Sequence, residues 1–152
     1  MIRAVVVAGA VLLCVSAVMA QQDLAKQQDD LMRAQAGPLY GVMLKMSRGQ
    51  IPYDQAAVDK ALGQLEQDVG KIATTFATDP KATLPNAEYG SSEKIWQNKA
   101  DFDSKIPPVQ KAIADQKGKV KNVETLAAAY KSINDSCNGC HDTYRLHFEK
   151  KK

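Results

Sequence analysis

The stretch NVETLAAAYKSINDSCNGCHDTYR, residues 122–145, carries the strongest structural signal in this chain. Its apolar and small side chains recur at intervals of three and four, which is the period of an amphipathic α-helix. The predicted inner face consists of Val123, Leu126, Ala127, Tyr130, Ile133, Cys137, Cys140, His141 and Tyr144. The sequence therefore predicts a helix from about Asn122 whose inner face includes two cysteines and a histidine.

The pentapeptide Cys137-Asn138-Gly139-Cys140-His141 has the C-x-x-C-H spacing of c-type haem attachment. Two thiols must each form a thioether to a vinyl group on one side of a porphyrin, while an imidazole reaches the central iron. At about 100° per helical residue, Cys140 lies about 60° to one side of Cys137 and His141 about 40° to the other. All three side chains share one arc, so we expect one covalent haem c with His141 as an iron ligand.

Other uses of the cysteine pair fit the sequence less well. A disulfide is open to an exported chain, but here a histidine follows the second cysteine directly. A thioredoxin-like redox pair would need strands, and the chain shows little strand-type alternation. A zinc site needs four ligands, and beyond the motif only His147 remains, so a carboxylate would have to complete it.

Helical spacing recurs in two stretches before the middle of the chain. The first runs from about Asp23 to Met46. We expect a kink or short break at its Gly37-Pro38, because proline cannot donate to the carbonyl four residues back. Asp54 is a candidate N-cap for the second, which runs to about Phe76.

A third helical stretch begins near Ser91 or Ser92. Pro107-Pro108 should kink or restart it, and a turn around Gly118 leads to the helix from Asn122. Four amphipathic helices with short loops predict an all-α fold, an antiparallel four-helix bundle with the covalent haem on the C-terminal helix.

Residues 1–20 form a candidate signal peptide. Arg3 supplies the positive charge, Ala4 to Val18 is almost unbroken apolar sequence, and Val18-Met19-Ala20 fits a cleavage site before Gln21. An uncleaved membrane anchor is the alternative, since the apolar run is near the lower limit for a span. Bulky Leu13 disfavours a lipoprotein cleavage at Cys14. We expect a mature domain of 21–152, exported to the periplasm and not inserted in the membrane after processing.

The charge of the chain is nearly balanced. The whole sequence has a formal net charge of +3, and cleavage that removes Arg3 would leave +2. This balance does not predict a nucleic-acid partner. The basic end Lys150-Lys151-Lys152 could steer an acidic partner or be a solvated, frayed helix end.

Together these residues resemble the class II cytochromes c, the cytochrome c-prime family, in which the haem motif lies near the C-terminus of a four-helix bundle. The resemblance spans essentially the whole mature chain. Its markers are Gly49-x-x-Pro52-Tyr53-Asp54, Ile95-Trp96 and the run Cys-x-x-Cys-His-x-x-Tyr-Arg that ends at Arg145.

The resemblance also bears on the sixth iron ligand. Cytochromes c-prime are five-coordinate and high-spin, with an apolar residue guarding the empty face, whereas a low-spin branch supplies a methionine from the first helix. The run Gln21-Gln22-Asp23-Leu24 … Leu31-Met32 resembles the low-spin branch and implies Met32 as sixth ligand. Met32 could instead be a core filler, and Met43 and Met46 are equally good thioethers.

Other side chains near the motif have two interpretations each. Arg145 follows His141 by four residues, so it could pair with a haem propionate or remain exposed at the helix end. Tyr144, Trp96 and Phe102 are expected to pack in the core or against the haem.

The resulting expectation is a periplasmic electron-transfer protein with one His/Met-ligated haem, which raises the reduction potential. Nothing in the sequence resembles an enzyme site, and we expect redox proteins as partners. The resemblance implies that a homodimer can form through the first two helices. The alternatives are a cytochrome c-prime-like protein that binds nitric oxide or carbon monoxide, and a subunit that relays electrons within a larger oxidoreductase.

Overall fold

The structure of the protein is a computed structural model that describes the backbone of residues 2–149 and the side chains of residues 18–149. Most of the predicted signal peptide, including Cys14, therefore lies outside the described side chains. The basic end Lys150-Lys151-Lys152 also lies outside the described residues.

Helices account for most of the described chain, and they pack as the predicted antiparallel four-helix bundle. In chain order they are α1 (Ile2–Ala34), a π-helix (Gly37–Leu44), α2 (Lys45–Ser47), α3 (Gln55–Gly70), α4 (Ile72–Thr75), α5 (Lys94–Gln97), α6 (Lys99–Ser104), α7 (Ile106–Ala114) and α8 (Val123–Tyr144). The first bundle helix comprises α1, the π-helix and α2, the second α3 and α4, the third α5 to α7, and the fourth α8. Within the described residues, no helix is both long enough and apolar enough to cross a membrane.

The first bundle helix changes its helical pattern at its proline. We predicted a kink or short break at Gly37-Pro38; α1 ends at Ala34, and a turn at Gln35 leads into the π-helix that begins at Gly37, while Ala36 keeps helical dihedrals of −66° and −37°. Pro38 has no N–H for the carbonyl of Ala34, and the wider i→i+5 pattern absorbs this loss.

The other helix boundaries follow local signals in the sequence. Asp54 caps α3 as predicted, its carboxylate accepting a hydrogen bond from the Ala57 N–H at 3.1 Å. Ser92, rather than Ser91, accepts the N–H of Lys94 at the start of α5, at 3.3 Å. Pro107-Pro108 restarts the third bundle helix, because both prolines lie in the first turn of α7, where no N–H is needed.

The core lies between the four bundle helices. Fully buried side chains come from every one of them: Met43, Val58, Leu62, Leu65, Val69, Ile95, Ile113, Leu126, Ala129 and Ile133. Helices of this length are marginal alone in water, so this shared burial stabilises them. One residue of the predicted inner face of α8 is wrong: Ala127 is exposed, and Ala129 is buried in its place.

A two-stranded antiparallel ribbon, which the sequence did not predict, joins the connection between α4 and α5 to the segment that follows α8. Strand β1 (Tyr89–Ser91) pairs with β2 (Arg145–His147), and Gly90 lies opposite Leu146. A Cβ at Gly90 would lie 2.7 Å from the ring of Phe148, which explains the glycine. The ribbon fixes the chain that follows α8 against the connection before α5.

Candidate functional site

Helix α8 positions the cysteines and histidine of the motif. Its start is fixed by a capping box, in which the Asn122 side chain accepts the Thr125 N–H at 2.9 Å and the Thr125 hydroxyl accepts the Asn122 N–H at 3.1 Å. Leu126 and Ile133 are fully buried and hold the first turns against the other bundle helices. The last two turns then present the motif residues at the edge of the core.

Cys137, Cys140 and His141 are all half-buried. Both cysteines pack against the hydrophobic core, and each is a free thiol, so the pair forms no disulfide. The structure thus places the three predicted residues together on one helix, with their side chains partly accessible.

The electrostatic environment keeps His141 neutral. Burial, reinforced by the cation of Arg145, lowers its pKa to about 4. In the part of the chain that the structure describes, its imidazole makes no hydrogen bond. A neutral imidazole with a free lone pair is the form that binds a metal ion.

The same burial keeps both thiols protonated. It raises the pKa of Cys137 to about 11, with the neighbouring Cys140 as the second cause. Burial also raises the pKa of the Cys140 thiol, while Lys105 acts in the opposite direction. Reactive redox cysteines have a lowered pKa, so this pair does not resemble a thioredoxin-like site.

The three methionines of the first bundle helix differ in burial. Met43 is fully buried and Met46 is 4% exposed, so both belong to the core. Met32 is only half-buried at the edge of the core, and its Sδ accepts a weak hydrogen bond from Gln35 Nε2 at 3.7 Å. Of these three thioethers, that of Met32 is the most accessible.

Arg145 is exposed at the C-terminal end of α8, which is the second of its two predicted interpretations. It is the C-cap residue, has extended dihedrals of −98° and 129°, and begins β2. Its guanidinium lies 4.8 Å from the ring centroid of Tyr89, yet it remains near enough to His141 to lower the pKa of that histidine. Because its backbone is extended, the Arg145 side chain packs against Tyr89 of the paired strand and not along the face of α8.

The aromatic residues near the motif pack as expected. Phe102 and Tyr144 are buried and meet edge to face, with ring centroids 5.2 Å apart. The half-buried Trp96 donates its indole N–H to the carbonyl of Phe76 at 3.0 Å.

Sequence reasoning missed a second aromatic group near Cys137. Tyr40, from the π-helix, donates to Asn134 at 3.2 Å and meets Tyr130 edge to face at 6.4 Å. The pKa of Tyr40 is raised, first by burial and then by Tyr130 and Cys137. Tyr40 and Asn134 are 94 positions apart, so no local pattern could have shown the contact.

These residues fit a covalently bound haem c. Two protonated thiols and one neutral imidazole lie together on the accessible end of α8. Within the described residues, no group of three or more His, Cys, Asp and Glu side chains could hold a metal ion.

Comparison with known proteins gives the same assignment. The family model Cytochrome C' matches residues 21–145. Cytochrome c-555 of Bradyrhizobium diazoefficiens is 60% identical over 144 residues, covering 95% of this chain and 97% of that protein. The chain belongs to the cytochrome c-prime family.

Two further similarities concern cytochrome c-556 of Rhodopseudomonas palustris. Its sequence is 42% identical over 146 residues, covering 95% of this chain and 97% of that protein. The NMR-validated structural model of oxidised cytochrome c556 from R. palustris superposes with a TM-score of 0.70 at 34% identity, covering 84% of this chain and 99% of that one.

Membership of the cytochrome c-prime family supplies the cofactor and the general activity. The chain carries covalently bound haem c with its iron and is an electron-transfer cytochrome that exchanges electrons with redox partners. Proteins of this family are usually exported.

Proposed function

We propose that this protein is a periplasmic electron carrier whose haem is attached to Cys137 and Cys140 and whose iron is bound by His141 and Met32. The observation that carries the proposal is the accessible end of α8, where the neutral imidazole of His141 lies beside two protonated thiols. When bound, the haem supplies an iron that accepts and gives up one electron.

Each side chain has a separate task in this proposal. Cys137 and Cys140 hold one edge of the haem, which fixes its orientation against α8. His141 offers its imidazole nitrogen from the same helix, and Met32 offers its sulfur from α1. With both His141 and Met32 as ligands, the iron would change oxidation state with little rearrangement, and the Met/His pair would raise the reduction potential.

Burial supports Met32 over the other two methionines as sixth ligand. Met43 and Met46 are enclosed by core side chains, so either would have to leave the core to reach an iron ion. Met32 lies at the edge of the core and gives up only a weak hydrogen bond from Gln35.

Covalent attachment can be tested on the denatured holoprotein. Acid-acetone extraction should leave the haem on the wild-type chain, whose mass should exceed that of the polypeptide by one haem. The double variant Cys137→Ser, Cys140→Ser should lose its haem on extraction, whereas Asn138→Ala, altered between the cysteines, should keep it. Haem released from the wild-type chain would contradict the attachment.

Optical spectra of the ferric and ferrous protein test the sixth ligand. Met32→Leu removes the sulfur with little change in volume and should convert a low-spin haem into a high-spin one that binds carbon monoxide readily. Its reduction potential should fall, because a thioether favours ferrous iron.

Met43→Leu is the matched control and should leave the low-spin spectrum unchanged, because Met43 is fully buried in the core. A low-spin spectrum that survives Met32→Leu would rule out Met32 as ligand. A wild-type protein that is already high-spin would instead favour the gas-binding alternative, a five-coordinate haem for nitric oxide or carbon monoxide.

Export is the part of the proposal that concerns the start of the chain. The family model begins at residue 21, directly after the predicted cleavage site Val18-Met19-Ala20, and this supports processing before Gln21. Intact mass of protein from a periplasmic fraction should correspond to residues 21–152 plus one haem. A mature chain that keeps Cys14 would contradict it.

Association with a second copy is also part of the proposal. The family resemblance implies pairing through the first two bundle helices. Sedimentation of the holoprotein at micromolar concentration should give the mass of a dimer. A monomer would refute the pairing without affecting the haem assignment.

A further inference from the structure

The last residue of α8 connects the motif to a charged pair on the third bundle helix. Tyr144 follows Cys140 by four residues, so its ring lies one helical turn along the same face. It is 4% exposed, and its hydroxyl donates a 2.5 Å hydrogen bond to Oδ2 of Asp101 on α6. The bond raises the pKa of Tyr144 to about 12, so the hydroxyl remains a donor at neutral pH.

Asp101 lies between Tyr144 and a lysine. The Nζ of Lys105 is 3.5 Å from Oδ1 of Asp101, while Tyr144 occupies the other carboxylate oxygen. The hydrogen bond from Tyr144 and the charge of Lys105 both lower the pKa of Asp101. The carboxylate is therefore ionised at neutral pH and restrained on both oxygens.

The hydrogen bond from Tyr144 fixes where this charged pair lies relative to the motif. Tyr144 lies one helical turn after Cys140 on the same face of α8, and its hydroxyl binds Asp101, which in turn pairs with Lys105. The fold thus places a negative and a positive side chain beside the end of α8 that carries Cys140.

We propose that Asp101 and Lys105 set the reduction potential through their charges at the Cys140 edge of the haem, and that Tyr144 is the positioning residue that holds Asp101 there. This rests on the proposed attachment of the haem to Cys140. Ferric haem has one more positive charge than ferrous haem. Asp101 consequently stabilises the ferric state and lowers the potential, and Lys105 has the opposite effect.

Midpoint potentials of the holoprotein variants test the direction in which each charge shifts the reduction potential. Asp101→Asn should raise the potential and Lys105→Gln should lower it. Both side chains are 41% exposed, so we expect a change on the order of twofold in the ratio of oxidised to reduced protein at fixed potential. At 59 mV per tenfold this is about 18 mV, and it should shrink as salt is added.

Asp103→Asn is the matched control. Asp103 lies on the same helix α6 and also pairs with a lysine, Lys99, but makes no hydrogen bond to Tyr144. Its substitution should move the potential less than Asp101→Asn. Equal shifts for the two aspartate variants, or shifts of the same sign for Asp101→Asn and Lys105→Gln, would overturn the inference.

Tyr144→Phe tests the positioning role. Without the hydroxyl the carboxylate can turn towards solvent, so the shift caused by Asp101→Asn should be smaller in the Tyr144→Phe background than in the wild-type background. An undiminished shift would show that Tyr144 does not hold the charge in place.

The same samples separate this inference from the proposed function. A wild-type protein without covalent haem, or with a high-spin spectrum, would show that the proposed site is wrong. A wild-type protein with covalent low-spin haem whose potential is insensitive to Asp101 and Lys105 would refute only the present inference.

Discussion

At the scale of single residues, protonation decides what the side chains around α8 can do. Burial keeps His141 neutral, and it keeps the Cys137 and Cys140 thiols protonated. Asp101, which is bonded to Tyr144 at the end of α8, is instead kept ionised, because its partners Tyr144 and Lys105 lower its pKa. A neutral imidazole and an ionised carboxylate therefore lie at the same end of α8.

Asp101 should make the stability of the protein depend on acid. The hydrogen bond from Tyr144, with the charge of Lys105, holds the pKa of Asp101 below its usual value of 3.8. A carboxyl group whose folded pKa is lowered stabilises the fold above the unfolded pKa, and this contribution is lost as pH falls through the folded pKa. Wild type should therefore be more stable than Asp101→Asn at pH 7, and the difference should disappear as pH falls well below 3.8.

Chemical unfolding at neutral and acid pH measures this difference. Because any acid effect on haem ligation is common to both proteins, it cancels in the comparison. A difference between wild type and Asp101→Asn that is independent of pH would exclude an ionised Asp101 as its source.

At the scale of elements, α8 is the helix that presents the motif, and its N-terminal cap fixes where it starts. Asn122 and Thr125 satisfy each other's backbone N–H groups there. Asn122→Ala removes one of these bonds and should lower the free energy of unfolding by about 1 kcal/mol. Denaturant unfolding of the holoprotein measures the loss.

Asn98→Ala is the control for the cap. Asn98 also occupies an N-cap position, at the start of α6, but its side chain makes no capping hydrogen bond. The substitution should change stability by no more than about 0.5 kcal/mol. Equal losses of unfolding free energy for the two asparagine variants would mean that the capping box at Asn122 does not stabilise the protein.

At the scale of the whole molecule, a buried glutamine connects three parts of the chain. Gln28 of α1 is 1% exposed. Its Nε2 donates to the carbonyl oxygens of Thr75 at 3.3 Å and Thr78 at 3.2 Å, and its Oε1 accepts from the Ser91 hydroxyl at 3.1 Å. These bonds join the first bundle helix to the end of the second and to the ribbon.

Gln28→Met should therefore destabilise the protein. The methionine has a similar shape but leaves two carbonyl oxygens and one hydroxyl without their partner, and each buried group left in this way costs about 1 to 3 kcal/mol unless water reaches it. Gln27→Met, at the exposed neighbouring position, should change the free energy of unfolding by no more than about 0.5 kcal/mol. Denaturant unfolding of the two variants measures the difference. Similar unfolding midpoints would show that the buried hydrogen bonds of Gln28 add no net stability.

Features that depend on neighbours along the chain could be predicted from the sequence alone. The period of three and four predicted the bundle, Asp54 and Pro107-Pro108 predicted helix boundaries, and C-x-x-C-H predicted covalent haem c. Each of these signals acts within about one helical turn, where spacing alone decides which groups can meet. The family resemblance added Met32, which stays a prediction until the spectra are measured.

Features that depend on contacts between distant parts of the chain are seen only in the fold. The fold ends α8 before Arg145 and places the Arg145 guanidinium over the ring of Tyr89, because residues 89–91 pair with residues 145–147. It also brought Asp101 to Tyr144 across 43 positions. Such contacts form wherever packing brings two segments together, and no local spacing encodes them. The helix and its motif could therefore be predicted from the sequence, whereas the charges that surround the motif could not.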